Sequence, residues 1–369
     1  MSPHNSIGEK FVVTLFGESH GKCVGVVIDG VPPGYDVDID KINEEMARRR
    51  PGQSKVTTAR SEADKVEILS GIFNNKTTGA PILILTRNKD VNSSKYEQFK
   101  NIPRPGHADY PAMLKYGGFH DYRGSGRFSG RLTAGLVMAG SLARQIMIDA
   151  MEMEIGAHVR EIGGIQYDGE VNVKDLRKKV ESSIVRCYEK NVSEKMIERI
   201  EEARAEKDSV GGIVECIVEG LPAGLGDPFF NSIESKISKL VFSIGAIKGI
   251  EFGIGFKVAG MKGSENNDPY RIGENGTVEI TSNNAGGILG GISTGNPIVF
   301  RVVVKPTSSI GKKQESIDLS TMKNVDLEYE GRHDPCIVPR VVPVIEAATC
   351  MVLIDILLGA GLIPKKNSV

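Results

Sequence analysis

Val27-Ile28-Asp29-Gly30-Val31-Pro32-Pro33-Gly34 ends a β-branched run in glycine and proline, and Ile217-Val218-Glu219-Gly220-Leu221-Pro222-Ala223-Gly224 repeats that form later in the chain. Each follows a run with strand character and precedes one with helical spacing. A second echo sets Gly126-Arg127 through Arg131 and its helix beside Gly331-Arg332 through Arg340 and its helix, in the same order. Together they predict one domain over 1–369 built from two pseudo-repeated halves, roughly 10–165 and 209–360, joined by a charged stretch at 170–208. Each half is expected to hold a strand layer with helices and to give an arginine loop to one site.

Working outward, residues 11–15 and 24–28 read as strands flanking Gly17-Glu18-Ser19-His20-Gly21. Residues 38–50 have helical spacing, with an acidic start and a basic end that suit the helix dipole, and Pro51-Gly52 stops them. Residues 66–69 and 82–85 read as paired strands around a turn at 74–79. Helices are expected at 132–153, 231–244 and 344–358, and strands at 211–218, 250–258 and 298–304. Lys and Glu interleaved with apolar residues over 170–208 predict two amphipathic surface helices. Alternating strands and helices suit a doubly wound fold, but the hairpin-like strand pairs argue for antiparallel sheets and an α+β class.

The composition is that of a globular chain, with 40% hydrophobic residues in 369. Its 46 basic and 47 acidic residues leave a net charge of -1, which gives no global field for nucleic acid or anionic membrane. Cys23, Cys187, Cys216, Cys336 and Cys350 are odd in number, widely spaced and without a C-x-x-C pair. Neither a disulfide framework nor a zinc site is indicated, and a reducing cytosol is the simpler expectation. The longest apolar stretch, near 347–362, is interrupted by Thr349, Asp355 and Gly359 and reads as a buried helix rather than a span.

Chemistry concentrates in loops. Three of six histidines lie in glycine-bearing charged segments: the one at His20, Arg104-Pro105-Gly106-His107-Ala108-Asp109-Tyr110, and Gly331-Arg332-His333-Asp334-Pro335. Arg48-Arg49-Arg50 and the segment from Arg123 to Arg131 add cations, and such loops suit a small polyanion. An arginine triplet at a helix end is more often a solvated cap, but the same arginine and glycine chemistry recurs in four loops. His4 and His158 lack charged loop neighbours and read as incidental; His120 reads either way. His20, His107 and His333 show no metal-ligand spacing. There is no G-x-x-x-x-G-K-[ST], and Gly124-Ser125-Gly126 follows no strand, so neither a P-loop nor a Rossmann site is expected. Lys305-Pro306-Thr307-Ser308-Ser309 follows a strand with a cation and three hydroxyls, which suits phosphate or flavin and equally an ordinary polar turn.

Taken together, Gly17 to Gly21, Arg49-Arg50-Pro51-Gly52, Arg104 to Asp109, Asp121-Tyr122-Arg123, Ala285-Gly286-Gly287-Ile288-Leu289-Gly290-Gly291-Ile292-Ser293, Lys305 to Ser309 and Gly331 to Cys336 closely resemble the chorismate synthase family. The resemblance implies helices between two antiparallel sheets, usually a cytoplasmic homotetramer. It also implies a phosphate lyase that makes chorismate from 5-enolpyruvylshikimate-3-phosphate by 1,4-anti elimination, the last step of the shikimate pathway. Reduced FMN would be required without net redox change, and NADPH only if the enzyme, rather than a separate flavin reductase, reduces its own flavin.

By the same resemblance His20 would protonate the leaving phosphate, His107 would sit beside the flavin, and Asp334 would relay the substrate proton through flavin N5. Arg49, Lys55, Arg104, Arg131, Arg332 and Arg340 would bind substrate. Arg127, Phe128, Ser129, Gly245, Ala246, Gly290, Lys305, Pro306, Thr307, Ser308, Ser309 and Arg332 would contact FMN. Phe128 stands where the family carries a serine, Lys55 where arginine is common, and Gly117-Gly118-Phe119-His120 is one residue longer than usual. The alternatives are a metal-independent phosphatase or phosphotransferase acting on a sugar phosphate, and a module that binds anionic polymers.

Overall fold

A computed structural model describes residues 4–50, 64–89, 93–328 and 334–366. The loop at His20 is indeed held by two strands, β1 (Val12–Gly17) and β2 (Cys23–Asp29), paired antiparallel with Val13 opposite Ile28 and Leu15 opposite Val26. Helix α1 (Ile39–Arg49) starts where the Asp38 carboxylate accepts from the backbone N–H groups of Asp40 and Lys41. Strands β3 (Val66–Ile68) and β4 (Ile82–Arg87) follow, then α2 (Thr133–Ala150).

After β5 (Glu154–Ile162) come α3 (Val173–Glu181) and α4 (Lys190–Ala205). The chain continues through β6 (Gly212–Glu219), α5 (Ile233–Val241), β7 (Ile247–Phe252), β8 (Ile298–Val304) and α6 (Val338–Gly359).

The two sheets have the same strand order. The first runs β1-β2-β4-β3 and the second β5-β6-β8-β7, with antiparallel neighbours in both. A two-residue strand flanks β1 at Ser6–Ile7 and β5 at Ile165–Gln166. The turns quoted at the outset also match: Gly30 and Gly34 have φ of +80° and +91°, Gly220 and Gly224 +84° and +89°. β5 lies inside the expected first half by sequence, yet it pairs with β6, so residues 154–162 belong with the second sheet.

Helices α1, α2, α5 and α6 pack between the sheets, giving the α+β architecture expected from the hairpin-like pairs. One buried cluster runs from Val26 and Ile84 through Met138, Leu142 and Leu353 to Cys216 and Phe300. At the crossing of α2 and α6, a Cβ on Gly140 would lie 2.4 Å from the Ala347 Cα, so glycine sets how closely they approach. α6 is long and apolar enough to cross a membrane, but 94% of its most apolar window is buried as the core of this fold.

Some expectations shift. β7 ends at Phe252 rather than 258, because the chain turns at Gly253 (φ +59°) and enters a 3-10 turn at Gly255–Gly260. α6 starts six residues early, since Pro339 sits in its first turn, where a missing N–H costs nothing. The hairpins Tyr270–Ile272 with Val278–Ile280, which closes on Asn275-Gly276, and Gln314–Asp318 with Lys323–Leu327 stand outside the expected elements.

Candidate active site

The loop between β1 and β2 presents His20, 8% exposed, with Nδ1 2.8 Å from Ser93 Oγ and its ring edge-on to Tyr96 at 5.2 Å. Asn88 braces this loop, donating to the carbonyls of Glu18 and Gly21 at 2.9 Å while its Oδ1 accepts from Arg131 Nε at 2.9 Å. The loop and Arg131 are thereby fixed as one unit.

Arg48 and Arg49 are not a solvated cap. Arg48 is buried against Glu45, Glu181 and Glu346 at 2.6, 2.7 and 2.5 Å. Arg49, 2% exposed, donates to Asp64 at 2.5 Å, and the other Asp64 oxygen pairs with Arg131. Burial pushes the Arg49 pKa down, Asp64 opposes this, and the nearby charges of Arg340 and Arg131 add to the fall, to about 10. The guanidinium stays charged at neutral pH. Arg49 Nε and Arg131 Nη2 are buried without a hydrogen-bond partner among the described residues. An orphaned buried donor costs about 1–3 kcal/mol, so these two are poised for an oxygen-rich anion.

A second unit forms around Arg104. Its guanidinium meets Asp109 at 2.8 Å, Ser309 Oγ at 3.1 Å and Ser125 Oγ at 3.0 Å, and lies 4.4 Å over the Phe99 ring. His107 Nδ1 is 2.6 Å from the same Asp109 carboxylate. Burial would raise the Asp109 pKa, but hydrogen bonds from Arg104 and His107 and their charges hold it well below the usual carboxylate range.

Lys305 Nζ donates to the Gly106 carbonyl at 3.1 Å, which joins the loops 104–109 and 305–309. Thr307 Oγ1 donates to the Asp334 carbonyl at 2.9 Å. Arg340 completes the contacts, with Nη1 2.5 Å from Asp334 Oδ2 and Nε donating to the Arg49 carbonyl at 3.3 Å.

These contacts close into a ring. It passes from His20 to Gly124 and Ser125, Arg104, the 305–309 loop, Asp334, Arg340, Arg49, Asp64, Arg131 and Asn88, and so back to the His20 loop. It gathers guanidinium groups, two imidazoles and carboxylates from both sheets. Such a site can bind a polyanion, neutralise a leaving anion and pass protons.

Of the expected flavin residues, Ala246 joins the ring because its carbonyl accepts from Lys305 N at 2.9 Å, and Gly245 precedes it. Ser129 is used locally, accepting from Arg131 N at 3.3 Å. Arg127 is exposed, pairs with Asn5 and lies over Tyr116, and Phe128 packs on the same ring at 6.4 Å. The structure does not bring Gly290 to this place. It sits in a turn beside Gly291, which contacts Ser232 at the start of α5, at the Ile298 end of β8, whereas Lys305 follows the other end. Lys55, Arg332 and His333 lie outside the described residues.

Asp64, Asn88 and Ser93 carry no local motif and gave no sequence signal, and Ser125 lies in the Gly124-Ser125-Gly126 run but is not among the expected site residues. His158 is buried and bound to Glu215 at 3.0 Å, in keeping with an incidental role. His120 Nδ1 is buried without a partner among the described residues. Among those residues no group of three or more His, Cys, Asp and Glu is placed to hold a metal.

A family model described as chorismate synthase matches residues 11–358. A chorismate synthase of Dehalococcoides mccartyi is 51% identical over 361 residues, covering 98% of each chain. One from Methanococcoides burtonii is 50% identical over 359 residues, covering 97% of each. A solved structure titled as a crystal structure of chorismate synthase aligns at a TM-score of 0.76 and 27% identity, covering 96% of this chain and 93% of that one.

Proposed function

Since the chain belongs to the chorismate synthase family, a family of phosphate lyases acting in the last step of the shikimate pathway, we propose that the ring of loops is where its elimination occurs. The observation that carries this is the ring itself, which unites residues from 20 to 340 around two orphaned guanidinium donors. The substrate, 5-enolpyruvylshikimate-3-phosphate, carries a phosphate and two carboxylates. Arg49, Arg131 and Arg340 face that charge from one side and Arg104 from the other, with Lys55 and Arg332 as further ligands.

In the reaction the C6–H bond breaks and its pair forms a double bond to C1, the C1=C2 pair shifts to C2–C3, and phosphate departs with the C3–O pair. His20 delivers a proton to the leaving phosphate, with Ser93 fixing its ring at Nδ1. Asp334, held by Arg340, takes up the proton lost from C6. His107 is held by Asp109 beside the 305–309 loop.

Reduced FMN is part of the proposal, and when bound it would lend electron density to the reacting ring without net redox change. The donor set fits its phosphate. Lys305 has no carboxylate partner among the described residues, and burial together with the nearby Lys248 pushes its pKa down, so an anion would relieve it. Thr307, Ser308 and Ser309, with Gly245 and Ala246, would complete the cradle.

A homotetramer is also proposed, supported by exposed Phe229, Phe230, Phe256, Tyr270 and Ile272, as is a reducing cytoplasm, supported by five free thiols. NADPH, or a partner reductase, would supply the flavin's electrons. The test is anaerobic turnover with reduced FMN and the enolpyruvyl substrate, following chorismate absorbance. Phosphate release that proceeds without any flavin would overturn the reading in favour of a phosphatase.

A further inference from the structure

We infer that the helical insertion between β5 and β6 is a positioning element of the active site and that Arg186 is the residue through which it acts. The inference rests on Arg49 and Arg340 being substrate ligands. In the first sheet the equivalent strands, β1 and β2, are joined by residues 18–22 alone, so closing a sheet of this order does not require α3 and α4. The insertion therefore has another task.

Its contacts show which one. Arg186 lies on the turn between α3 and α4 with φ +55° and is 6% exposed. Its Nη1 donates to the Pro339 carbonyl at 2.7 Å and its Nη2 to the Arg48 carbonyl at 2.9 Å. The first of these is in the opening turn of α6, one residue before Arg340. The second is in the closing turn of α1, one residue before Arg49. Glu181 at the end of α3 steadies the fork, accepting from Arg186 Nε at 3.1 Å and from Arg48 Nε at 2.7 Å. The Arg186 carbonyl in turn accepts from Val159 N at 2.9 Å, pinning the turn to β5.

One planar guanidinium thus sets the spacing of the two helix ends that carry Arg49 and Arg340. A lysine ammonium carries its three donors on one nitrogen and has no planar fork, so it cannot hold the two carbonyls at the same spacing. The exit of the insertion braces the other side of the ring. Ser209 Oγ donates to the Thr307 carbonyl at 2.8 Å, Val210 N donates to the Pro335 carbonyl at 2.8 Å, and Gly311 N donates to the Lys207 carbonyl at 2.9 Å. The charged helices that read as plain surface structure are thus a buttress beneath both loop groups.

The test compares Arg186→Lys, Arg186→Ala and Ser209→Ala in the full-length enzyme, measuring kcat, KM for the enolpyruvyl substrate, FMN affinity by flavin fluorescence, and the folded fraction. We expect Arg186→Lys to raise KM about tenfold, the equivalent of one well-placed hydrogen bond, with FMN affinity within about twofold of wild type. Arg186→Ala should raise KM further. Ser209→Ala should instead weaken FMN binding several-fold and leave KM nearly unchanged.

Loss of folded protein alone would lower the apparent kcat and leave KM where it was. Because Arg186→Ala opens a buried hole, Arg186→Lys carries the decision. Arg49→Lys and Arg340→Lys serve as references. If they raise KM while Arg186→Lys does not, the insertion is not a positioning element. If neither raises KM, the assignment of the arginines fails instead, and the inference falls with it.

Discussion

A Cβ on Gly124 would lie 2.2 Å from Cδ2 of His20, so the two residues meet only because position 124 has no side chain. Gly124 also has φ +57°, where an L side chain is strained. We expect Gly124→Ala to displace the imidazole and lower kcat by about 10²-fold or more, in line with loss of a positioned proton donor. The stability cost should exceed ~1 kcal/mol, because alanine is strained at this φ. Steady-state kinetics beside a thermal melt would check this, and an unchanged kcat would remove His20 from the chemistry.

Asp64 is the counterion shared by Arg49 and Arg131, and although burial would raise its pKa, those two guanidiniums hold it below the usual range. Removing one partner from a buried ion cluster costs about 3–5 kcal/mol. Asp64→Ala should therefore melt well below wild type and should regain more stability from added inorganic phosphate than wild type does, because phosphate can take the place of the missing carboxylate. Equal phosphate stabilisation of both proteins would argue that the orphaned donors do not face an anion site.

His107 and Asp334 are separate members of the ring, and each should be needed. His107→Ala and Asp334→Ala should each lose most turnover, about 10²-fold or more, while keeping the wild-type circular dichroism spectrum. Near-normal rates in both would reject their proposed roles.

Acid should weaken this fold partly through Glu215. On the sheet face away from α6 it accepts from His158 at 3.0 Å and Arg301 at 2.6 Å. Burial would raise its pKa, but the hydrogen bond and charge of His158, with Arg160 and Arg301, bring it from 4.5 to about 2. The folded value lies below the unfolded one, so the contribution is complete above about pH 4.5 and is lost as pH falls through about 2. It amounts to about 3 kcal/mol at most. Melting temperatures between pH 7 and 2 should fall less steeply below pH 4.5 for Glu215→Gln than for wild type, and matching slopes would count against the account.

Asp355 ties the N-terminal segment to the far end of α6, accepting from the backbone N–H groups of Glu9, Lys10 and Phe11 at 2.8, 2.6 and 3.0 Å. Asp355→Ala should destabilise by about 1–3 kcal/mol or more through the orphaned donors. It lies fifteen residues, roughly 22 Å of helix, from Arg340, so KM should not change. Denaturant melts with parallel kinetics would decide, and a raised KM would show coupling along α6.

Local pattern was enough for the strands around His20, the ends of α1 and the pairing of β3 with β4. These depend on local periodicity and on turn residues such as Gly30 and Gly34, which act within a few positions of themselves. Other features depend on contacts between residues far apart in the chain. The place of β5 in the second sheet was one such feature, since the carboxylate that meets His158 and Arg160 belongs to Glu215 on the neighbouring strand. Recurrence of arginine among glycines pointed to Arg49 as a ligand, but not to its burial, because Glu346 and Glu181, which meet Arg48 beside the local Glu45, and Asp64, which meets Arg49, come from other elements. Burial of a charge is settled by the partner that folding brings to it, and that partner's position is written in no local pattern.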